Sequence, residues 1–264
     1  MGLLDNDIFD DNVEEDKTLA VKRNTGDTVE TLVLGFRQYL DDWEDHLYDP
    51  DTSKIDDGRF KQYVEDLMED MYVTSDDVER FFKDIEMLKN HEQYQTKSNH
   101  FVSHIFQRAY ECGHNEFQIR QRSKSPDHVC SNIITPGDLT LKVEFFSQTG
   151  TNCAVNLNRS YVEFHEDSGE FSGLGMKNST LVFRKSAGDS SALLVQNTLV
   201  YFHGDMGEGC GQGSKNSNFY SQDEDALKKM AELTFEGCNF YLIDGNGKSR
   251  KKVKGFGYPY EDKQ

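Results

Sequence analysis

The pattern Asn178-Ser-Thr-Leu-Val-Phe183 returns 19 residues later as Asn197-Thr-Leu-Val-Tyr-Phe202. Further copies begin at Asn158, Asn216 and Gly237, so that successive copies lie 20, 19, 19 and 21 residues apart. Each copy holds a short apolar strand followed by a turn rich in Gly, Asp and Ser. One such unit cannot bury its apolar face alone, but a stack of units can. The repeat therefore predicts a parallel β-solenoid with coils of about 20 residues.

The Asn at the head of most copies supports this interpretation. Asn tolerates the left-handed backbone of a corner, and its amide can bond to the equivalent Asn in the coils above and below. With this repeat, residues 137–254 resemble the parallel β-helix of the pectin-lyase-like superfamily, which implies the same solenoid fold. No catalytic signature of that superfamily matches, so the resemblance implies no activity. An antiparallel sandwich is the alternative, since sandwiches also contain regularly spaced short strands. The same residue types recurring in the same order favour the solenoid.

Side chains alternate between the two faces of a strand, which assigns each strand residue to a side. The inward positions are predicted to be Val162, Phe164, Leu181, Phe183, Val200, Phe202, Tyr220, Phe240 and Leu242. The outward positions are predicted to be Glu163, Val182, Tyr201, Phe219 and Tyr241. Four of these five outward residues are apolar or aromatic, and an outward stripe of that kind is normally covered by the chain's own helices or by a partner. We predict Val182, Tyr201, Phe219 and Tyr241 as the binding surface.

The first half of the chain is acidic and has helical periodicity. Residues 1–126 carry 29 acidic and 15 basic side chains, whereas residues 127–264 carry 18 and 14. The expected organisation is a flexible acidic arm (1–24), a helical domain (25–115), a linker or first strand (116–127) and the solenoid (128–264). Apolar residues at helical spacing predict four helices with short links. The fold class is thus α+β, with an N-terminal acidic helical bundle followed by a short parallel β-solenoid.

Composition narrows the class of function. The net charge of −18 opposes nucleic-acid binding by the chain as a whole. No apolar run reaches the roughly 18 residues of a membrane span, and no secretory signal is visible at Met1. The five cysteines are scattered and form no CxxC pair, which favours free thiols in a reducing compartment. We expect a cytoplasmic protein without a cofactor.

Two groups of residues could carry chemistry. His203, Asp205, Glu208 and Cys210 are four potential metal ligands within eight residues, but a flexible Gly-rich corner with incidental polar residues explains them better than a zinc site does. Stacking of the coils would also bring His165, Arg184 and His203 to one edge, with Asp167 and Asp205 nearby. Such an edge could bind an extended glycan, or hydrolyse one if the two carboxylates were suitably spaced. Turns are rich in polar residues in any case.

The sequence therefore favours a non-enzymatic binding or assembly protein, a scaffold whose partner is another protein or a second copy. The alternative is a carbohydrate-binding or carbohydrate-active β-helix that uses His165, Arg184, His203, Asp167 and Asp205 along its polar edge.

Overall fold

The computed structural model describes residues 27–46, 57–91, 93–135, 139–233, 237–244 and 250–253. The predicted acidic arm (1–24) lies outside these ranges. The described chain is a parallel β-solenoid with several helices, most of them N-terminal to the sheet. The helices are α1 (Thr28–His46), α2 (Asp57–Met68), α3 (Ser75–Asp84), α4 (Tyr94–Lys97), α5 (Asn99–Glu111) and α6 (Glu224–Leu233), and a 3-10 turn covers Ile85–Leu88.

Helices α1 and α3 begin where the sequence supplies caps. Thr74 precedes α3, and its hydroxyl accepts a bond from the backbone N–H of Asp77 at 3.1 Å, while the Asp77 carboxylate accepts from the Thr74 N–H at 2.9 Å. This reciprocal capping box satisfies two N–H groups that a helix terminus otherwise leaves without a partner. Asp27 caps α1 in a simpler way, because its carboxylate accepts from the Val29 N–H at 3.0 Å.

One sheet of eight strands runs in sequence order through the molecule. The strands are β1 (Glu116–Ile119), β2 (Leu141–Phe145), β3 (Ser160–Phe164), β4 (Thr180–Phe183), β5 (Leu199–Phe202), β6 (Asn218–Ser221), β7 (Asn239–Ile243) and β8 (Arg250–Val253). Strands β1 to β7 pair in parallel, each with the next, and only β8 is antiparallel to its neighbour. This topology confirms the solenoid and excludes the antiparallel sandwich. From β2 to β6 equivalent residues are 19 positions apart.

The inside of the sheet is a column of stacked phenylalanines. Phe145, Phe164, Phe183 and Phe202 are fully buried. Neighbouring rings are 4.9, 5.2 and 5.1 Å apart between centroids and lie within 7° of parallel. Burying one such side chain contributes about 1.5–3 kcal/mol, and each aromatic contact adds roughly 0.5–1.5 kcal/mol. We call these four residues the phenylalanine column.

The opposite wall of the solenoid is a five-residue corner in which every second residue has a left-handed backbone. The repeated left-handed positions are His128, Cys130 and Asn132; Asn152, Ala154 and Asn156; Phe171, Gly173 and Gly175; Ser190, Ala192 and Leu194; Gly209, Gly211 and Gly213. Because the backbone conformation alternates along the corner, its N–H groups bond to the coils on both sides. The Ala192 N–H donates to Ser172 in the preceding coil, and the Leu194 N–H donates to Gln212 in the following coil.

The Asn residues at the head of the repeat form a surface ladder, as expected. Asn178, Asn197 and Asn216 have φ values of 51°, 50° and 51°. The Asn178 amide donates to the Asn158 side chain at 2.9 Å, and the Asn197 amide donates to Asn178 at 3.3 Å. The hydroxyl residues that follow them are buried inside the coil and bond to backbone groups of their own and neighbouring coils: Ser179, Thr198 and Ser217.

A column of glycines marks the closest approach between coils. It contains Gly150, Gly169, Gly188 and Gly207, at steps of 19 residues. A Cβ atom at Gly169 would lie 2.2 Å from the backbone oxygen of Gly150, and one at Gly188 would lie 2.6 Å from the carbonyl carbon of Gly169. No larger residue fits these positions without moving the coils apart.

Helices pack against both ends of the sheet. Helix α3 packs on β1, and the rings of Phe82, Phe106 and Phe117 connect α3, α5 and β1 in one buried cluster. Helix α6 fills the last coil, where Leu227 and Met230 are buried against the core.

Candidate functional site

One row of residues on the outer face of the sheet follows the strand register with one residue per coil, and we call this row the outer column. From β1 to β7 it consists of Gln118, Glu144, Glu163, Val182, Tyr201, Tyr220 and Tyr241. The column is charged in the early coils and aromatic in the late ones. The phenylalanine column, in contrast, keeps the same residue in successive coils. Because the outer column changes in character along the solenoid, we take the outer face as the candidate functional site.

The structure corrects the predicted positions of two residues in β6. Phe219 was expected to face outward, but it pairs with Val200 and Phe240 and is fully buried, whereas Tyr220 takes the outward place beside Tyr201. The error has a physical cause. The polar Asn218 stands where the preceding strand has Leu199, so the apolar pattern of β6 suggests a register that is one residue out, and a shift of one residue exchanges the faces of a strand.

The remaining predicted binding residues lie on the outer face with different exposure. Tyr201 and Tyr241 are half-buried, but Val182 and Tyr220 are each only 5% exposed, so Val182 is not the open apolar surface that was expected, and Tyr220 is covered by its neighbours. The Tyr201 and Tyr220 rings stack at 4.4 Å between centroids, and Tyr220 and Tyr241 stack at 5.0 Å. We call Tyr201, Tyr220 and Tyr241 the tyrosine ladder.

The predicted polar edge forms directly after the strands. His165 and Arg184 both contact Glu163, at 3.8 Å and 2.6 Å, and Arg184 lies 3.3 Å from Nε2 of His203. The three residues thus follow one another along the solenoid as the repeat indicated. Burial and the positive charge of Arg184 lower the pKa of His203, so its imidazole is neutral at pH 7 and can accept the bond from the guanidinium.

The two aspartates of this edge are placed differently from each other. One Asp167 oxygen accepts from the backbone N–H of Ser186 at 3.2 Å in the next coil, and the other accepts from Gln148 at 3.4 Å. Asp167 therefore supports the contact between turns. Asp205 is exposed to solvent.

Glu144, Glu163 and His165 form a cluster that the sequence analysis missed. Among the described residues they are the one group of three whose potential ligand atoms all lie within 4.8 Å of one another. The signal was available, because Glu144 and Glu163 are 19 residues apart and His165 follows Glu163 by two. Glu163 is the most enclosed of the three, with 8% of its side chain exposed.

Neighbouring cations already neutralise this cluster. Partial burial acts to raise the pKa of Glu144, but hydrogen bonds from Lys142 and His165 outweigh it and lower that pKa. The pKa of Glu163 is lowered in the same way, against the effect of burial, by Tyr161 and Arg184. Both carboxylates are therefore ionised, so neither is the protonated acid that a glycosidase pair requires. A metal ion would have to displace Arg184 and Lys142, and we assign the cluster as an ion-pair network.

The residues His203, Asp205, Glu208 and Cys210 do not converge on one point. Asp205 and Glu208 are exposed, His203 contacts Arg184, and Cys210 is buried with its sulfur 3.4 Å from the Gly188 carbonyl oxygen. Burial raises the pKa of the Cys210 thiol to about 11, which keeps it protonated at neutral pH, whereas zinc binds the thiolate.

Comparison with known proteins adds no relative: no protein-family model, no curated protein and no solved structure matches the chain. Within the described ranges, no helix combines the length and the apolar character that crossing a membrane requires.

Proposed function

We propose that the protein is a binding and assembly module whose contact surface is the tyrosine ladder on the outer face of the sheet, through its half-buried members Tyr201 and Tyr241. The observation that carries this proposal is the parallel stacking of Tyr201, Tyr220 and Tyr241, with ring centroids 4.4 and 5.0 Å apart. Stacked rings hold one another in a single orientation. A partner that binds them therefore has little side-chain entropy left to remove.

The chemistry of tyrosine suits this role. Aromatic residues are enriched in protein interfaces because they bury a large apolar area and keep a polar hydroxyl at the rim. The partner that requires the fewest additional assumptions is a second copy of the chain, which presents the same flat ladder. A self-complementary contact of this kind has twofold symmetry.

The superfamily, the role of the N-terminal helices and the cellular compartment belong to the same proposal. The in-register parallel coils support placing the chain with the pectin-lyase-like β-helices, and the packing of α3 on β1 supports an N-terminal helical cap over the first coil. A cap of this kind keeps an open strand edge from pairing with other chains. The cysteine thiols, free within the described residues, support a reducing compartment such as the cytoplasm.

The test is the mass of the full-length protein by light scattering over a concentration series at about 1 M salt, where charge interactions are screened within about 3 Å. The chain mass is 30.3 kDa, and self-association through an apolar surface raises the observed mass at high protein concentration. Tyr201→Glu should return it to that of one chain, because an unpaired charge would be buried in the contact.

The matched control is Leu194→Glu, which places the same charge on an exposed apolar residue of the corner wall. It should associate as the unaltered protein does. A mass of one chain for the unaltered protein at every concentration contradicts self-assembly through the ladder, as does association that Tyr201→Glu leaves unchanged.

A glycan-binding function is the second candidate, because the ladder lies beside the polar edge formed by His165, Arg184 and His203. The faces of sugar rings pack on aromatic rings, and their hydroxyls bond to neighbouring charged groups. A glycan array tests this directly. Binding should be lost in both Tyr201→Ala and Arg184→Ala, and retention in either variant would exclude this site.

A further inference from the structure

The two ends of the sheet carry opposite charge. At the N-terminal end a cleft of about 180 Å³ opens between α3, β1 and β2. Its ionisable lining consists of four carboxylates and one amine: Asp76, Glu79, Glu116, Glu144 and Lys142. We call it the acidic cleft.

The cations near the acidic cleft cancel only part of its charge. Lys142 lies 2.8 Å from Glu144 and 3.8 Å from Glu116, and Glu79 is paired with Lys83 at 2.9 Å and with Arg120 at 3.8 Å. The Glu116 side chain remains 70% exposed, and Asp76 is exposed at the first turn of α3. Asp76 and Glu116 therefore present negative charge to a molecule that approaches this end.

The C-terminal end of the same sheet is basic. Strand β8 reads Arg250-Lys-Lys-Val253 and pairs with β7. Within the described residues it has a strand partner on that side only. Lys252 is exposed and lies opposite Tyr241 in the register, at the end of the outer column that begins beside the acidic cleft.

We propose that copies of the chain associate end to end, with the basic edge strand β8 of one copy bound against the acidic cleft of the next. This inference rests on the proposed assembly function and adds a second, charge-dependent contact. The chain supplies both halves of the contact on one face of one sheet, at opposite ends. A second copy is therefore the partner that matches the charges. Such a contact joins two different surfaces, so it builds chains or rings of copies instead of closed twofold dimers.

Ionic strength distinguishes this contact from an apolar one. Each copy carries a net charge of −18, so at low salt the copies repel one another as whole molecules. At about 0.1 M salt the screening length is about 10 Å, which weakens that repulsion but leaves contact pairs attractive, and at about 1 M the pairs are screened as well. End-to-end association is therefore strongest at intermediate ionic strength.

The experiment uses the full chain with Tyr201→Glu already in place, which removes the ladder contact, and follows association by sedimentation velocity across the salt series. Association should peak near 0.1 M salt. Adding Lys252→Glu should weaken it by about tenfold or more, and so should adding Asp76→Lys with Glu116→Lys. Lys177→Glu, the same charge reversal on an exposed residue between β3 and β4, should leave it unchanged.

Mixing the two charge-reversed proteins provides the decisive result. The Lys252→Glu protein retains its acidic cleft and the other protein retains its basic strand, so an equimolar mixture should regain association that neither has alone. Failure to regain it overturns the proposal, as does an equal effect of Lys177→Glu. Absence of association in the Tyr201→Glu background overturns the end-to-end contact alone. The ladder function is judged separately by the high-salt experiment on the unaltered protein.

Discussion

The phenylalanine column and the outer column lie on opposite faces of the same strands, yet they follow different rules. Inside, the same residue recurs in four successive coils, and the rings stack within 7° of parallel. Outside, the row passes from Glu144 and Glu163 through Val182 to the tyrosine ladder. The backbone repeat is common to both faces, so the difference comes from their surroundings.

The comparison shows what the repeat constrains. An inward ring contacts the rings above and below and the opposite wall of a close-packed core, so a change of size at one coil leaves a void or a clash. An outward residue has to suit only its neighbours in the row. The early coils use this freedom for ion pairs and the late coils use it for aromatic stacking. The outer face is thus where function can vary without loss of the fold.

The largest effect is expected from Phe183→Ala. This change removes a ring that stacks on Phe164 and Phe202 in the middle of the column, and the resulting cavity should cost about 3–5 kcal/mol of unfolding free energy. Urea denaturation measures the loss. Tyr201→Ala is the matched change on the outer face and should cost about 1 kcal/mol. Equal losses would mean that the two faces do not differ in the way described.

An intermediate effect is expected from Glu163→Gln, which tests whether the charged part of the outer column is structural. The substitution leaves Arg184 beside an uncharged amide and should cost about 1–3 kcal/mol at pH 7. Glu166→Gln is the control, because the Glu166–Lys185 pair is solvent-exposed and should contribute much less to stability. If both changes have the same small effect, the enclosed position of Glu163 contributes nothing.

The ion-pair network around Glu163 also determines whether the stability of the fold rises or falls with pH. The lowered pKa values of Glu144 and Glu163 stabilise the fold above their unfolded value of about 4.3, and this stability is lost as the pH falls through the folded values. The lowered pKa of His203 acts in the same direction, because below about 6.5 the unfolded state binds the proton more readily. Stability should therefore decrease from pH 7 to pH 4, and Glu163→Gln should reduce the part lost below pH 4.5.

The smallest effects are expected at the Asn ladder, where two substitutions at one residue separate backbone from side chain. Asn178→Gly keeps the left-handed corner accessible but removes the amide bonds, and should cost about 1 kcal/mol. Asn178→Ala also removes the amide bonds but keeps a Cβ at φ near 51° without the polar side chain that makes this backbone tolerable for Asn, and should cost about 1 kcal/mol more than Gly. Thermal unfolding of both variants provides the comparison. If Ala were as stable as Gly, the corner would not require a left-handed residue.

The features that repeat could be predicted from the sequence, because stacking makes them local. Phe164, Phe183 and Phe202 recur at a fixed step, and one strand pattern therefore predicts the inward column of every coil that keeps it. The prediction was wrong where the pattern changes, at Asn218, and it exchanged Phe219 with Tyr220. The cluster of Glu144, Glu163 and His165 was not found because it depends on contacts between coils, although its spacing was visible in the sequence.

The corner wall was also beyond the sequence analysis. Alternating glycines such as Gly209, Gly211 and Gly213 are typical of left-handed positions, but the equivalent places in the preceding coil are Ser190, Ala192 and Leu194, which give no such signal. Those residues adopt the strained backbone because bonds to both neighbouring coils stabilise it. Strain that is offset by a neighbouring coil cannot be read from one segment alone.

Helix α6 explains why the left-handed corner is not repeated after residues 209–213. Each coil acts as a template for the next, because it offers free backbone groups along its strand and along its corner. One step of 19 residues beyond the corner at 209–213 falls at 228–232, and α6 occupies those residues. A helix bonds its own backbone groups internally and has none to offer a further coil. After α6, strand β7 adds one more parallel strand, and the chain then turns back as the antiparallel β8. The position of one helical segment thus limits the number of coils in the solenoid. Replacing that segment with a copied coil is the way such a protein would become longer.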